Sequence, residues 1–349
     1  MRAAVELLGA VALEFAAATA FYPALGRPGR VRLAVLAVLW PVIMASPWLV
    51  GFEHPFHRFL ASVVAVALVA KLYDVHVGAA RGFRPGAKDY FLQLPNFGVV
   101  VLRRALAEPL PRRGDDLARL AVSALGSVPA VALAVWLFRY DWSRRPFALE
   151  HSAKVLAFLL ALVAVSTALA AAARLLGLRV PDPMRNPFAA ATPADFWTRY
   201  NCAAYQFFYE DIFRPAGGLR SPVRAALVTF VVSGLLHEYI FVATLGRVRG
   251  LQSAFFLAQG LAVAATLRAR PSGWRKPAWR AATYAFMLTS SVLFFECIDD
   301  VVPFYSTRAG GAGRSPRTTA AAAEPAADRA AAAEAAARPA AAAAFGAGL

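Results

Sequence analysis

The sequence predicts an all-α membrane protein: a polytopic bundle of about eight transmembrane helices with an amphipathic helix on the cytoplasmic face. Three observations predict it. Of the 349 residues, 59% are hydrophobic and the mean hydropathy is +0.51, more than a soluble domain of that length needs. The apolar residues come in charge-poor runs of about twenty, the length that crosses a bilayer as a helix. The formal net charge of +16, from 37 Lys and Arg against 21 Asp and Glu, is carried by basic residues gathered between those runs. That arrangement belongs to membrane topogenesis and contact with anionic lipid, and it argues against nucleic-acid binding.

The apolar runs fall at roughly residues 3–25, 31–51, 58–78, 118–139, 153–178, 223–245, 251–269 and 280–302. The first has no extended basic segment before it and no obvious cleavage site, so it reads as a membrane helix and not a signal peptide. It carries Glu6 and Glu14, and the third carries Lys71, Asp74 and His76. Lys71 and Asp74 are three apart and are expected to pair on one helix face. The short apolar piece Asn96–Val101 is expected to be re-entrant or interfacial. Basic residues crowd the odd-numbered loops, for example Arg81, Arg84, Lys88, Arg103 and Arg104 in the third. The positive-inside rule therefore puts those loops in the cytoplasm and the N-terminus outside.

Cys202 and Cys297 form no motif and suggest neither a metal site nor a disulfide. His54 and His57 have proline between them and no further ligand cluster, so they read as a polar loop, and no metal is expected. From about Arg308 the chain turns alanine-rich with few large apolar residues. The expected division is a membrane domain over residues 1–305 and a low-complexity, disordered tail over 306–349.

The fifth loop contains a second helical pattern. Thr192 can cap, Pro193 suits the first helical position, and Asp195 follows Thr192 by three as in a capping box. Phe196, Trp197, Tyr200, Ala203, Ala204, Phe207 and Phe208 then recur with helical period and make one apolar stripe. The pattern predicts one amphipathic helix on the membrane surface, ending near Arg214 and Pro215. Asn201 borders the stripe, where an asparagine would more often face water.

The sixth run holds His237 and Glu238 near its middle. A charge at that depth costs roughly 2.5–3.5 kcal/mol on insertion scales, so an ionisable residue there is a candidate for function. The alternative is a neutral histidine hydrogen-bonded between helices for packing alone. Ser233 lies four residues earlier on the same face, and its hydroxyl is expected to orient one imidazole nitrogen and leave the other free. Glu238 is one residue on and points elsewhere. A neutral ring in a dry tunnel suits general-base work on an alcohol.

These two constellations resemble the membrane-bound O-acyltransferase family over about residues 186–241. Phe196 to Asn201 (Phe-Trp-Thr-Arg-Tyr-Asn) resembles the aromatic motif, ending in asparagine, that precedes the family's catalytic span. Ser233 to Glu238 (Ser-Gly-Leu-Leu-His-Glu) resembles the Ser-x-x-x-His-Glu of the sterol, diacylglycerol and wax-ester-forming branches. Tyr209 to Gly218 is similar to a segment of the polysaccharide-acetylating branch that ends in Pro-Leu-Gly-Gly. The resemblance implies acyl transfer from a cytoplasmic thioester, acyl-CoA, to the hydroxyl of a lipid alcohol or other acceptor that reaches the histidine through the membrane. It implies that His237 takes the hydroxyl proton and that Asn201 positions the thioester or polarises its carbonyl. Trp197, Tyr200, Ser233 and Glu238 are the supporting residues. No cofactor is implied beyond acyl-CoA as co-substrate, and no covalent enzyme intermediate. The partners are then acyl-CoA, the alcohol and membrane lipids, with no oligomeric state specified.

The aromatic motif departs from the diacylglycerol branch, which favours a second tryptophan before the asparagine. The spans are also fewer than in the sterol branch. These departures point to a compact, wax-synthase-like member. The alanine- and arginine-heavy composition suits a high-GC bacterial gene and a place in the bacterial inner membrane. One rival is a polysaccharide or cell-envelope O-acetyltransferase, in which glycine more often follows the histidine. Another is a transporter or lipid flippase with an ion path through Glu14, Lys71, Asp74 and His237, although the sequence shows no internal repeat.

Overall fold

A helix satisfies its own main chain in hydrocarbon, so a chain this apolar folds by laying helices side by side. The computed structural model describes residues 1–306; the tail expected from residue 306 lies, from 307 onward, outside the described residues. In order, the helices are α1 (Arg2–Ala20), α2 (Gly29–Ala45), α3 (Pro55–Ala80), α4 (Ala87–Gln93), α5 (Leu102–Ala107) and α6 (Arg113–Arg139). They continue with α7 (Phe147–Leu175), α8 (Pro193–Arg199), α9 (Cys202–Phe207), α10 (Pro222–Leu245), α11 (Leu251–Thr266) and α12 (Arg275–Asp299).

Among the described residues seven helices are long and apolar enough to cross a membrane. They are α1 with the turn that follows it, α2 with its following turn, α3, α6, α7, α10 and α12. The remaining apolar run folds as α11, which has only 16 residues. At the helical rise that is about 24 Å, short of the hydrocarbon thickness.

The bundle is organised around α3, which packs against α1, α2 and α10. Of its most apolar stretch 56% is buried, against 6% for α6. The α6–α7 pair turns Val122, Leu125 and Val128 outward. Such a surface would be a liability in water but costs nothing against lipid tails, which are as apolar as leucine.

Lys71 and Asp74 do not pair as the spacing suggested. Lys71 is wholly buried and its Nζ donates to the carbonyls of Gln93 at 2.6 Å, Leu94 at 2.9 Å and Asn96 at 2.8 Å. The stretch Asn96–Val101 is a loop between α4 and α5, with Val99 and Val101 buried. Carbonyls that lack a helical partner at that depth need donors, and an ammonium supplies three. Asp74 instead accepts from the Leu102 N–H at 2.9 Å and from Arg103 at 2.5 Å. Arg103 also donates to Asp211 at 2.5 Å, so one guanidinium ties α3, α5 and the turn after α9 together.

Two polar contacts set the rotation of α10. The guanidinium of buried Arg58 donates to the Ala243 carbonyl and, at 3.0 Å, to that of Val50. The Tyr239 hydroxyl donates to the Met44 carbonyl at 2.5 Å. Close approach of α11 fixes the other side. A Cβ at Gly260 would lie 2.8 Å from Phe230 Cβ, closer than real contacts allow, and one at Gly234 would lie 3.2 Å from Phe256 Cβ, a tight approach.

The expected single amphipathic helix is broken. Thr192 caps α8 as anticipated, its Oγ1 accepting from the Asp195 N–H at 3.0 Å. The Asp195 carboxylate reaches the N–H of Ala191, one residue earlier than a capping box requires. The chain then turns at Asn201, whose φ of 46° and ψ of 66° are left-handed. It resumes as α9 and closes with a π-helical turn over Phe208–Phe213. The break has a tertiary cause. Cys202 N–H donates to the Pro183 carbonyl at 2.8 Å, Arg185 N–H to the Arg199 carbonyl at 2.8 Å, and Asn201 N–H to Met184 Sδ at 3.3 Å. The main chain at the joint bonds to a neighbouring loop and not to a helical turn. Asparagine tolerates the left-handed region better than most residues. Asn201 therefore sits at a corner and not on the face of one helix.

Candidate active site

His237 lies on α10 with its Nδ1 2.8 Å from the main-chain carbonyl of Ser233. A carbonyl only accepts, so Nδ1 carries the hydrogen, and in the neutral ring Nε2 is left with the lone pair. Nε2 makes no protein hydrogen bond among the described residues. The ring packs against Phe256, 4.3 Å between centroids, with Phe294 at 6.1 Å. A bare acceptor nitrogen beside apolar walls is able to take a proton from a hydroxyl and to hold it out of water.

The Ser233 hydroxyl does not orient the ring, contrary to the sequence reading. An i, i+4 spacing brings the main-chain carbonyl of the earlier residue under the later side chain, and the ring takes that acceptor. Glu238 does face away. Its carboxylate accepts from the N–H groups of Arg249 at 3.0 Å, Gly250 at 2.5 Å and Ser253 at 3.1 Å, and from Ser253 Oγ at 3.3 Å. It thus caps the N-terminus of α11, where a negative charge is stabilised by the unpaired N–H groups and the helix dipole.

Trp197 is brought to His237 through a shared neighbour. Its ring lies 6.0 Å from Phe256 and 5.4 Å from Phe230. Tyr200 stacks on Phe196 at 5.4 Å and meets the edge of Trp197 at 5.9 Å. Burial pushes its phenol up to about 12, so the hydroxyl stays protonated. Burial likewise pushes the Cys202 thiol up, which disfavours a thiolate nucleophile at the neighbouring position.

Asn201 is exposed, and no contact among the described residues joins it to His237. Its Oδ1 accepts from the Ala204 N–H at 3.2 Å, capping α9, which leaves its amide N–H groups to donate elsewhere. The loop it bonds to, residues 183–185, borders a cavity of about 140 Å³ lined in part by Glu108, Arg174, Arg179, Asp182 and Arg185. Arg174 pairs with Asp116 at 2.7 Å and Asp182 at 3.2 Å. Among the described residues Arg179 reaches carbonyls alone, those of Ala105, Leu106 and Glu108. Arg185 forms no ion pair among the described residues.

Sequence reasoning missed Phe256, Gln259 and Ser290. Gln259 is wholly buried between the Trp197 indole and Ser290. A signal was present: Gln252 and Gln259 are the amides of a mostly apolar helix and lie seven apart, hence on one face. The sites proposed for an ion path also resolve into local partners. Glu14 is wholly buried and accepts from Ser46 Oγ at 2.5 Å, while Lys71 and Asp74 are held as described above.

Residues 127–298 match the family model described as MBOAT, membrane-bound O-acyltransferase family. That stretch runs from within α6 to near the end of α12 and contains Trp197, Asn201, His237 and Gln259. The chain is also similar to the probable long-chain-alcohol O-fatty-acyltransferase 1 of Arabidopsis thaliana, 27% identical over 128 residues. The match covers 33% of this chain and 37% of that protein, so it spans little more than a third of the relative's length.

Proposed function

We propose a reaction for this chain, which belongs to the membrane-bound O-acyltransferase family: transfer of an acyl group from acyl-CoA to the hydroxyl of a long-chain alcohol, with His237 as general base. The observation that supports it best is the tautomer of His237. Its Nδ1–H is spent on the Ser233 carbonyl, and Nε2 is a free acceptor next to Phe256. The alcohol hydroxyl hydrogen-bonds to Nε2 and gives it the proton as the oxygen attacks the thioester carbonyl carbon. The tetrahedral intermediate collapses to the ester and expels the CoA thiolate, which takes the proton back from the imidazolium. No metal and no covalent enzyme intermediate is needed for that balance.

Asn201 would act from the polar side. With Oδ1 committed to the cap, its amide N–H groups are free to hold the thioester carbonyl. Arg179 and Arg185, at the cavity beside it, offer positive charge to the CoA phosphates. This reading puts the basic loops and the donor in the cytoplasm of a bacterial cell and the acceptor in its inner membrane. A long-chain alcohol is favoured over a glycan because the walls around His237 are aromatic and because the relative's name carries that acceptor.

The test is ester synthesis by purified protein in lipid nanodiscs. Fatty acyl-CoA with a long-chain alcohol should give one ester per CoA thiol released. CoA release that follows an added glycan and not the alcohol would move the acceptor to the envelope class. No CoA release with any hydroxyl acceptor would remove the enzyme reading.

A further inference from the structure

We infer that Gln259 is a positioning residue for the proposed reaction: it holds Trp197 and, through Phe256, fixes the imidazole of His237. The inference rests on His237 being the base. Gln259 is wholly buried on α11, and both ends of its amide are used. Its Oε1 accepts from Trp197 Nε1–H at 3.0 Å, and its Nε2–H donates to Ser290 Oγ at 2.8 Å. Ser290 Oγ in turn donates to the Phe286 carbonyl at 2.7 Å. Every donor in this chain has one direction open to it, because an indole only donates and a carbonyl only accepts. The orientation of the Gln259 amide is thereby determined.

The chain of bonds joins α8, α11 and α12. Apart from it, α8 meets α11 by a hydrogen bond from the Ala194 N–H to Thr266 Oγ1 at 3.3 Å, near the end of α11. The Trp197 bond is the polar contact that acts beside the histidine. Phe256 is three residues before Gln259, on the same side of α11, and lies between the Trp197 ring at 6.0 Å and the His237 ring at 4.3 Å. It sits where α10 and α11 approach closely, its Cβ 3.2 Å from where a Cβ at Gly234 would stand. Loss of the Gln259 amide frees the indole, removes one wall from Phe256 and lets the imidazole turn about its bond to Ser233. Displacements of about 1 Å in reacting groups cost up to 10²-fold in rate, so the effect belongs in kcat.

The experiment compares Gln259→Leu, Gln259→Glu, Trp197→Phe and the Leu/Phe double variant as folded, monodisperse protein. Gln259→Leu should lower kcat by about tenfold with the KM for acyl-CoA within about twofold, because in the proposed reaction the donor is held by Asn201 and the arginines and not by Gln259 or Trp197. Gln259→Glu, neutral at this depth, keeps an acceptor for the indole and a donor for Ser290, and should recover most of the rate. Trp197→Phe should match Gln259→Leu, and the double variant should fall no further, since both remove one bond. Wild-type kcat in Gln259→Leu, failure of Gln259→Glu to rescue, or additive losses would each overturn the inference. Trp197→Phe supplies the same comparison if Gln259→Leu does not fold. A readout independent of turnover separates this inference from the proposed reaction. In ¹⁵N-histidine-labelled protein, with His237 assigned through His237→Gln, the wild type should show Nδ1 protonated. Gln259→Leu should shift the His237 signals. Unmoved signals would refute positioning even in an active enzyme, and moved signals in an inactive one would support it while the acyl-transfer reading fell.

Discussion

His151 on α7 and His237 on α10 both lie on helices long and apolar enough to cross a membrane, and their surroundings treat them differently. His151, on α7, has both nitrogens occupied. Its Nε2 donates to the Leu288 carbonyl at 2.8 Å, and its Nδ1 accepts from the Tyr305 hydroxyl at 2.7 Å. Phe147 stacks over the ring, and the residue is buried. His237 has one nitrogen held by a main-chain carbonyl and the other open. Placement on a membrane-length helix is common to both and does not tell them apart. Counting donors and acceptors does: a ring satisfied at both ends joins helices, and a ring satisfied at one end is oriented and still reactive.

The largest expected effect tests that contrast directly. His237→Gln should lower turnover by roughly 10²–10⁴-fold, the scale of a lost general base, because glutamine keeps a hydrogen bond and cannot take the proton. His151→Gln should leave kcat per folded molecule within about twofold and should lower the melting temperature instead. It loses part of a buried network, on the order of 1–3 kcal/mol for a group left unpaired. Turnover and thermal melting, measured on both variants in the same lipid, decide it. Activity that survives at position 237 and vanishes at 151 would exchange the two roles.

A smaller effect separates two functions of Asn201. Its side chain caps α9 through Oδ1 and, in the proposed reaction, donates through its amide to the thioester. Asn201→Asp keeps the cap and loses the donor. If the donor matters, Asn201→Asp and Asn201→Ala should both lose roughly 10²–10³ in kcat, as oxyanion donors do. If the cap is the whole role, Asn201→Asp should turn over like the wild type while Asn201→Ala loses stability, about 1 kcal/mol for a cap. Steady-state kinetics alongside melting curves distinguishes the outcomes.

The spans were legible because hydrophobic length is a property of local sequence. Seven of the eight runs became long apolar helices, and the run at 251–269 became the shorter α11. The partners of their polar residues were not legible, because those partners are distant in sequence. Lys71 lies three residues from Asp74, yet it bonds to carbonyls 22, 23 and 25 residues away. Asn201 read as a helix-face residue because the aromatic stripe runs through it in register. The main-chain bonds that stop the helix there come from residues 183–185. His151 escaped notice because Glu150 and Lys154 made that stretch look like the polar edge of a span. In the structure those two pair at 2.6 Å, fully buried. Charge near an apolar run reads as a boundary until its partner is known.

Ser233 carries the smallest expected effect and the finest test of how His237 is held. The motif spacing suggested that its hydroxyl orients the ring. The structure assigns that work to the Ser233 carbonyl, which any residue at this position retains. The hydroxyl makes no hydrogen bond among the described residues, so removing it costs neither a partner nor the tautomer. Ser233→Ala keeps the small volume that the close packing of α10 on α11 demands beside Gly234. It also swaps a serine for a better helix former, by a few tenths of a kcal/mol. Turnover should therefore stay within about twofold of wild type, with unchanged KM for both substrates and an unchanged ¹⁵N signature for Nδ1–H. A tenfold fall in kcat would show that the hydroxyl reaches the reacting alcohol or the ring during turnover. A loss of the Nδ1–H signature would show that the carbonyl alone does not select the tautomer on which the general-base reading stands.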